Sequence, residues 1–543
     1  MTKFDLPLER RVLGPILSER ARTEGSRVYL RHEDRTFSFA ETDAFARELA
    51  RGLASAGIGR KDSVALLLPN CPEFVFSWFA LSLLGAVMVP INTSYKQAML
   101  DYVIRDSGVK GLITDRALLP ALAGASAEIL AQLEWVAVLG GTDAAELPQG
   151  TARFIDFDAL RQRGEANAEV ECDCADVNCV MYTSGTTGAS KGAVLSNGAF
   201  FGGSLPVIGI VGLERDDVLF TPLPLFHGIA GRQGVYPCLL VGAQVVLGER
   251  FSATRFWQQA TQSQATVAHT MFNIPAMLKA QPPGQYDRAH RLRYMYNASH
   301  DPEFEQRFGV RLAESYGLIE TGTVIYTPHP GRKLGSCGRL HDDWEAQLVD
   351  ERDQPVAAGE AGELILRPRL SGILMQGYLN KPEETLNAIR DGWFHTGDFA
   401  HRDGDGWYFF AGRKKERIRR RGENISAWEV EKIAQGHPDV EVCAALPYPS
   451  ELGDDDVRLA IVLRAGSQLS EERFMDWLQP RMPYFMLPRY VEFLPELPLT
   501  PTKKVRKHVL IERGLCPNAW DREQRGYKIE RTERAAAAPR ETS

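Results

Sequence analysis

Cysteine is scarce in this chain, which contains 8 cysteines among 543 residues. The one cluster, "CDCADVNC" from Cys172 to Cys179, lacks the C-x2-C spacing and the nearby histidines of a zinc site. The low count also excludes a small domain that depends on many disulfides. We therefore expect reduced thiols and no zinc site in this cluster.

An excess of basic residues is also missing. The chain has 63 Lys and Arg against 70 Asp and Glu, a formal net charge of −7, which argues against nucleic acid as the principal partner. The N-terminal stretch "MTKFDLPLERRVLGPILSER" contains no apolar segment of the kind that a secretory signal needs. The predicted location is cytoplasmic.

Long uninterrupted apolar runs are missing as well. The segment Phe74–Ile91, "FVFSWFALSLLGAVMVPI", carries no charge and is long enough to resemble a membrane helix. However, Gly85 and Pro90 interrupt it, and its second half is typical of a strand. The segment predicts a buried helix followed by a core strand, and no membrane span.

What the chain does have is length and an alternating pattern. Its 44% hydrophobic and 24% charged residues are typical of a globular protein, and its length predicts two or three domains. Short apolar strands alternate with helical patterns from about Val28 to Leu340, which predicts βαβ units and parallel sheets. The predicted fold class is α/β, with a large multi-sheet N-terminal domain over residues 1–411.

After Ala411 the pattern changes. A basic run, "GRKKERIRRRGEN", precedes the helical segment "AWEVEKIAQGH" and short strands such as "RLAIVLRAG". We interpret residues 412–516 as a small, mobile α+β domain with a hinge near Lys415. The segment Pro517–Ser543 is charged and rich in alanine, so we expect a loosely ordered tail there.

The stretch "MYTSGTTGASKG", Met181–Gly192, indicates anion binding. A P-loop would need glycine at Ser190 and a hydroxyl residue at Gly192, and it would open a helix, whereas the following "AVLSN" is typical of a strand. We therefore expect a flexible loop between two strands. Its backbone N–H groups, hydroxyls and single ammonium suit phosphate oxygens.

This loop resembles the signature phosphate loop of the adenylate-forming superfamily, which includes the acyl-CoA synthetases. Further motifs follow in family order: "PLPLFHGIAG", "ESYGLIETG", "GWFHTGD", "GRKKERIRRRGENISAWEVE" and "LPLTPTKKVRK". Together they extend the resemblance over nearly the whole chain. Within the superfamily, "RRRGENIS" and the stretch from Gln281 to Gly317 resemble the crotonobetaine/carnitine–CoA ligases most.

The resemblance implies a reaction in two steps. A carboxylate attacks the α-phosphate of ATP, which gives an acyl-adenylate and pyrophosphate, and the thiol of coenzyme A then displaces AMP. Because a carboxylate and a triphosphate repel each other, this chemistry needs positioning and positive charge. The implied ligands are a small-molecule carboxylic acid, ATP, coenzyme A and Mg²⁺, while assembly into a homo-oligomer is left open.

The resemblance also implies a role for each motif. Glu320 is expected to ligate Mg²⁺, which prefers carboxylate and phosphate oxygens, and Lys504 is expected to reach the α-phosphate and the attacking carboxylate. His227 is placed beside the acyl group, and Lys415 at the hinge. The expected nucleotide-binding residues are Thr183, Ser184, Gly185, Thr186, Thr187, Gly188 and Lys191 at the β- and γ-phosphates, Ser315, Tyr316 and Gly317 at adenine, and Asp398 and Arg413 at the ribose. The residues expected to meet the incoming thiol are Arg419, Arg421 and Gly422.

These assignments have plainer alternatives. Glu320 would otherwise be a solvated surface acid, Asp398 a helix N-cap and His227 a core histidine. Two residues depart from the family pattern, because Ile319 replaces a threonine and Lys503 replaces a glycine. Two further hypotheses therefore stay open at this point: loading of a carrier-protein phosphopantetheine, and an AMP-binding protein without turnover.

Overall fold

The computed structural model describes residues 11–95, 98–142, 152–164, 168–183, 190–271, 274–296, 299–327, 331–413, 417–420, 423–450, 455–482, 486–500 and 504–529. The chain divides into two compact units. The large unit contains Met1–Ala346, Ile365–His395 and Arg402–Phe409, and the small unit contains Gln347–Leu364, Thr396–His401 and Phe410–Ser543. The domain boundary at Ala411 and the hinge near Lys415 stay predictions, and Lys415 lies outside the described residues.

Most helices of the described chain are short. The longest, α2, begins with a capping box, in which the Ser38 hydroxyl accepts from the Glu41 N–H and the Glu41 carboxylate accepts from the Ser38 N–H. In chain order the helices are α1 (Leu13–Glu24), α2 (Phe39–Ser55), α3 (Pro72–Leu83), α4 (Ala98–Ser107), α5 (Leu119–Ala123), α6 (Ala127–Gln132), α7 (Asn197–Val211), α8 (Tyr236–Val241), α9 (Phe256–Gln262), α10 (Ile274–Lys279), α11 (Pro302–Phe308), α12 (Pro382–Ala388), α13 (Ala427–Gln435), α14 (Glu471–Leu478) and α15 (Lys507–Arg513).

The strands are short as well, and they are rich in β-branched and aromatic residues, which suit a pleated surface. In chain order they are β1 (Val28–His32), β2 (Arg35–Ser38), β3 (Ser63–Leu67), β4 (Val87–Pro90), β5 (Gly111–Asp115), β6 (Trp135–Leu139), β7 (Arg153–Asp156), β8 (Val177–Thr183), β9 (Lys191–Ser196), β10 (Val218–Thr221), β11 (Gln244–Leu247), β12 (Val267–His269), β13 (Tyr294–Tyr296), β14 (Arg311–Ala313), β15 (Ser315–Leu318), β16 (Gly322–Tyr326), β17 (Gly338–Leu340), β18 (Trp344–Val349), β19 (Gly362–Pro368), β20 (Gly377–Tyr378), β21 (Ile389–Arg390), β22 (Trp393–Arg402), β23 (Trp407–Arg413), β24 (Arg417–Arg420), β25 (Glu423–Ser426), β26 (Val440–Pro449), β27 (Asp455–Leu463), β28 (Tyr490–Phe493) and β29 (Trp520–Asp521).

Two largely parallel sheets form the body of the large unit, as the alternating pattern predicted. The first has the strand order β14–β13–β12–β10–β11–β1–β2, and only β1 and β2 pair in antiparallel fashion. The second has the order β20–β9–β8–β4–β3–β5–β6–β7, in which the pairs β20–β9 and β9–β8 are antiparallel and β8 is parallel to β4. Ligands of such folds commonly bind beyond the carboxyl ends of the parallel strands.

The apolar segment Phe74–Ile91 is a buried helix and a core strand, as predicted. Every residue of α3 is buried, and so is every residue of β4. Between them Gly85 adopts a left-handed backbone conformation, with φ of 61°, which ends the helix. Across the described part of the chain, no helix has both the length and the apolar character that crossing a membrane requires.

The prediction of parallel pairing as far as Leu340 is wrong beyond β14. The strands β15, β16 and β17 pair in antiparallel fashion, and β17 pairs in the same way with β23. Only Ile319, Glu320 and Thr321 connect β15 to β16, and Gly322 follows with φ of 70°. A parallel pair would need a crossover connection, whereas a short loop ending in a left-handed glycine suits a hairpin.

The small unit is an α+β fold, as predicted. Its main sheet has the order β26–β27–β28–β29, with β27 and β28 parallel, and β24 pairs with β25. The predicted helix and strand in its sequence correspond to α13 and β27. One hydrophobic core joins residues from the strands and helices, including Ile418, Val430, Phe474 and Val491.

The expectation of a loosely ordered tail from Pro517 is wrong at its beginning. Strand β29 pairs with β28, the Trp520 side chain is buried, and its ring centroid lies 5.7 Å from that of Tyr527. The prediction relied on the charged composition of this segment and did not consider the aromatic pair of Trp520 and Tyr527, which packs on the sheet. Residues 530–543 lie outside the described chain.

Candidate active site

The predicted phosphate loop joins two hydrogen-bonded strands. In the antiparallel pair of β8 and β9, Thr183 lies opposite Lys191. The Tyr102 hydroxyl donates to the Ser190 carbonyl at 2.7 Å, which holds the chain where it returns to the sheet. Because the loop leads into a strand, the exclusion of a P-loop is confirmed. Outside the described residues lie Ser184, Gly185, Thr186, Thr187 and Gly188.

A tyrosine that the sequence analysis did not select links this loop to the expected magnesium ligand. Strand β20 pairs with β9 and places Tyr378 opposite Ala193. The Lys191 Nζ lies 4.8 Å from the centroid of the Tyr378 ring, within the range of a cation–π contact. The hydroxyl of the same ring donates to Glu320 Oε1 at 2.8 Å. Tyr378 therefore contacts both charged groups.

The surroundings of Tyr378 keep its phenol protonated, so that it can donate a hydrogen bond to Glu320. Burial raises the pKa of Tyr378, and the neighbouring Glu320 carboxylate raises it further. The phenol is therefore protonated at neutral pH and can donate to the carboxylate. Glu320 itself is 8% exposed, so the alternative of a solvated surface acid is wrong.

Glu320 lies in a hairpin turn whose own hydrogen bonds determine its shape. We call Ile319–Thr321 the Glu320 turn. The Thr321 hydroxyl accepts from the Leu318 N–H at 3.3 Å and donates to the Gly322 carbonyl at 2.8 Å. The Met375 N–H donates to the Glu320 carbonyl at 2.9 Å. These bonds attach the turn to the segment that leads to β20.

The expected adenine-binding residues lie on β15, beside the Glu320 turn. Tyr316 is half-buried and pairs with Ile325 of β16, and Gly317 is exposed. The Ser315 hydroxyl donates to the Tyr296 hydroxyl at 3.3 Å. The strand thus brings Tyr316 and Glu320 into one local structure, whereas the stacking of the ring on adenine stays a prediction.

His227 follows β10 in the large unit. Burial lowers the pKa of His227 to about 4, so the imidazole is neutral at pH 7. Its Nδ1 accepts a hydrogen bond from the Ile229 N–H at 3.4 Å. A neutral imidazole can exchange hydrogen bonds but cannot balance the charge of a phosphate, so this residue suits a contact with an acyl group better than one with ATP.

A buried polar network lies behind these motifs and was missed. The Gln233 amide donates to the Thr323 hydroxyl at 2.8 Å, and the Tyr296 hydroxyl lies 2.9 Å from the same oxygen. His269 lies 3.0 Å from Thr221 through Nδ1, and burial lowers the pKa of His269 to about 4. These residues come from separate segments of the chain, so the network cannot be predicted from the spacing of residues in the sequence.

The remaining predicted residues belong to the small unit. Asp398 is 3% exposed and lies within β22, so the alternative of a helix N-cap is wrong. The Lys504 carbonyl accepts from the Thr500 N–H at 2.7 Å, and the Lys504 N–H donates to the Thr500 hydroxyl at 3.0 Å. Arg413 ends β23 and Arg419 lies on β24. Outside the described residues lie Lys415, Arg421, Gly422 and Lys503.

The chemistry of the cluster fits magnesium held mainly by a substrate. Within the described ranges, no three His, Cys, Asp or Glu side chains gather into a metal site. Mg²⁺ differs from zinc in this respect, because one or two carboxylates, water and substrate phosphates usually hold it. Glu320 would supply one such carboxylate, and Tyr378 contacts both Glu320 and the phosphate-loop lysine.

Comparison with known proteins finds relatives over most of the chain. Residues 17–379 match the family described as AMP-binding enzyme, and residues 429–504 match the AMP-binding enzyme C-terminal domain. The crotonobetaine/carnitine–CoA ligases of Salmonella heidelberg (strain SL476) and Salmonella typhimurium (strain LT2) are each 33% identical to this chain over 482 residues, which cover 87% of this chain and 92% of theirs.

Solved structures of similar proteins have the same fold. An anthranilate CoA ligase in complex with anthranoyl-AMP has a TM-score of 0.85 at 26% identity, and the match covers 94% of this chain and 99% of that one. The O-succinylbenzoate coenzyme A synthetase of Bacillus subtilis, in complex with AMP, has a TM-score of 0.76 at 25% identity, with coverage of 91% and 97%.

The chain belongs to the AMP-binding enzyme family, with both its large N-terminal domain and its small C-terminal domain. Within that family it is an adenylate-forming acid–CoA ligase. The predicted fold class, superfamily and enzyme class are thereby confirmed.

Proposed function

We propose that Lys191, Tyr378 and Glu320 form the triphosphate end of the active site. The observation that carries this proposal is that one tyrosine contacts both the phosphate-loop lysine, at 4.8 Å, and the glutamate, at 2.8 Å. Thr183–Lys191 hold the β- and γ-phosphates of ATP, and Glu320 would ligate Mg²⁺. When bound, the metal neutralises charge on the phosphate oxygens.

In the first step a carboxylate oxygen of the substrate attacks the α-phosphorus. The bond from that phosphorus to the bridging oxygen breaks, and pyrophosphate leaves. Lys504 supplies positive charge where negative charge accumulates on the α-phosphate and the attacking carboxylate. Tyr316 stacks on adenine, while Asp398 accepts from the ribose hydroxyls with Arg413 beside it.

In the second step the sulfur of coenzyme A attacks the acyl carbon of the adenylate. The bond from that carbon to the phosphate oxygen breaks, AMP leaves, and the thiol proton passes to solvent. Arg419, Arg421 and Gly422 meet the incoming thiol. A change of arrangement around Lys415 then brings different residues of the small domain to successive steps.

The acid is a small-molecule carboxylate whose body contacts the segment that begins at His227. Carnitine, anthranilate and O-succinylbenzoate, which appear in the names of the similar proteins, are suitable first members of a test panel. Pyrophosphate release from ATP with each acid alone identifies the acid. Formation of the acyl-CoA with that acid then establishes coenzyme A as the acceptor.

The assignment of Glu320 is tested by a Glu320→Gln variant, which keeps the shape of the side chain but removes its charge. We expect pyrophosphate release to fall by at least ~10-fold and the Mg²⁺ concentration for half-maximal rate to rise, because the metal loses its carboxylate ligand. Glu345→Gln is the control, since Glu345 pairs on the surface with Arg367. An unchanged magnesium titration of Glu320→Gln would contradict the assignment.

A further inference from the structure

Arg232 is a buried cation that none of the steps above uses. It is 2% exposed, and its guanidinium donates to the Ile319 carbonyl at 2.8 Å and to the Ala199 carbonyl of α7. In the described chain no carboxylate forms an ion pair with it. Burial lowers the pKa of Arg232 to about 10, whereas the Cys179 thiol and the Glu320 carboxylate raise it, so the side chain stays charged at neutral pH.

The backbone around Arg232 has an unusual shape that aims its side chain. Residues Gly231–Val235 form a π-helical turn, in which the Gln233 N–H donates to the Gly228 carbonyl at 3.0 Å. Such turns are frequent at functional sites, because the wider turn redirects its side chains. Arg232 reaches the carbonyl of Ile319, directly before Glu320, and Gln233 reaches the Thr323 hydroxyl beyond it. Consecutive residues thus hold both flanks of the Glu320 turn.

Two glycines make room for the guanidinium. A Cβ on Gly203 of α7 would lie 2.1 Å from Arg232 Nη2, and a Cβ on Gly322 would lie 2.9 Å from the same atom. Gly322 also needs its left-handed conformation, with φ of 70°. Both positions therefore exclude any larger side chain. Residues of α7, of the π-helical turn and of the β15–β16 hairpin therefore pack closely around the Arg232 guanidinium.

Stability alone does not account for this arrangement. Removing a guanidinium from water is costly, and an apolar side chain of similar volume commonly stabilises a protein as well as or better than a buried charge. The positive charge of Arg232 instead interacts with the Glu320 carboxylate. Its guanidinium also donates a hydrogen bond to the Ile319 carbonyl, in the peptide group directly before Glu320.

We propose that Arg232 is a positioning residue that holds the Glu320 turn in the geometry that metal-bound triphosphate requires. This inference rests on the proposed role of Glu320. It adds that the turn is held from behind, through the Ile319 carbonyl, by a cation that does not itself touch the substrate. Loss of the cation should therefore weaken the magnesium-dependent part of ATP binding and leave the metal-free part unchanged.

The test uses Arg232→Met, Arg232→Lys and a matched control, Arg20→Met. Arg20 also donates to two backbone carbonyls, those of Leu239 and Leu240, and it pairs with Glu24. For each variant of the full chain, calorimetry measures ATP binding with Mg²⁺ and with EDTA. Pyrophosphate release is measured against Mg²⁺ concentration, and thermal unfolding shows whether the variant is folded.

We expect Arg232→Met to weaken ATP binding with Mg²⁺ by at least ~10-fold, a typical effect of removing a group that orients a metal ligand. Binding in EDTA should change by less than ~2-fold, by the same principle. Arg232→Lys should recover part of the loss, because an ammonium can still donate to the Ile319 carbonyl. Arg20→Met should lower the unfolding temperature without changing the magnesium dependence.

Two results would overturn the inference: an unchanged magnesium dependence in Arg232→Met, or an equal shift in Arg20→Met. If Arg232→Met does not fold, Arg232→Lys decides: one ammonium cannot reproduce both carbonyl contacts of the guanidinium, so a magnesium dependence identical to that of the wild type in this variant would also contradict the proposal. Failure of the proposed function has a different signature, because Glu320→Gln would then leave the magnesium titration unchanged. A shift in Glu320→Gln without one in Arg232→Met rejects only the inference about Arg232.

Discussion

Buried arginines are accommodated in two ways in this protein. In the small unit, Arg458 Nε lies 2.6 Å from Glu492 Oε2, and both side chains are 1% exposed. Arg420 Nε lies 2.8 Å from Asp456 Oδ1 in similar burial. In the large unit, by contrast, Arg232 donates to two backbone carbonyls beside the Glu320 turn.

The difference separates two uses of a buried charge. A paired arginine joins neighbouring strands, and the two opposite charges offset part of each other's loss of hydration. An arginine held by carbonyls instead fixes the backbone segments that carry those carbonyls, and for Arg232 one of these is the peptide directly before Glu320. We therefore expect changes in the small-unit pairs to affect stability first, and changes around the Glu320 turn to affect catalysis first.

The largest expected effect is that of Arg458→Met on the small unit. The substitution removes the nearer cation of the buried Glu492 carboxylate and leaves it only Arg513, at 4.0 Å, which costs up to about 3–5 kcal/mol. Hydrogen exchange of the β27 and β28 amides measures this loss locally, because a protein with two units need not unfold in one step. The double variant Arg458→Met/Glu492→Met should recover most of the loss. Equal exchange in the single variant and the wild type would contradict the comparison.

Lys504→Ala should slow catalysis without lowering stability, although Lys504 belongs to the same unit as Arg458. We expect adenylation to fall by at least ~100-fold, roughly 3 kcal/mol of barrier, because positive charge at the α-phosphate is lost. Transfer from supplied acyl-adenylate to coenzyme A should change much less. Lys507→Ala, which breaks an ion pair with Glu431, is the control. A larger loss in Lys503→Ala would move the catalytic role to that residue.

Substitutions of Tyr378 distinguish its contact with Lys191 from its hydrogen bond to Glu320. Tyr378→Phe keeps the ring beside Lys191 but removes the hydrogen bond to Glu320, and we expect adenylation to slow by about 10-fold, or 1.4 kcal/mol. Tyr378→Leu removes both contacts and should add a smaller loss, since an exposed cation–π contact contributes about 0.5–1 kcal/mol. Single-turnover pyrophosphate release measures both. Full activity in Tyr378→Phe would show that the hydrogen bond does not matter.

The smallest expected effect is a gain. Ile319→Thr adds a hydroxyl to the Glu320 turn, and one added hydrogen bond at the α-phosphate should speed adenylation by up to ~1 kcal/mol of barrier. The same single-turnover measurement applies. A slower variant would indicate instead that the packing of Ile319 against the hydrophobic core and the Arg232 contact already hold the turn.

Local patterns predicted the parts of this protein that are contiguous in sequence. The two strands that flank the phosphate loop, the buried helix in Phe74–Ile91 and the α+β character of the small unit are confirmed, because each depends on the periodicity of a short segment. The antiparallel pairing of β15–β17 was missed, since a strand pattern does not reveal the direction of its partner. Strand β29 was missed because pairing with β28, not its own composition, orders it.

The sequence by itself determined the enzyme family and pointed to Glu320 as a candidate site residue, because both depend on motifs of adjacent residues that follow one another in order. Only the tertiary structure decided which groups surround Glu320. Tyr378 reaches it through the pairing of β20 with β9, and Arg232 through a π-helical turn that packs against α7. Hydrogen bonds and Coulomb forces act over a few ångströms of space, whatever the separation along the chain. Neither partner could therefore be inferred before the chain was folded.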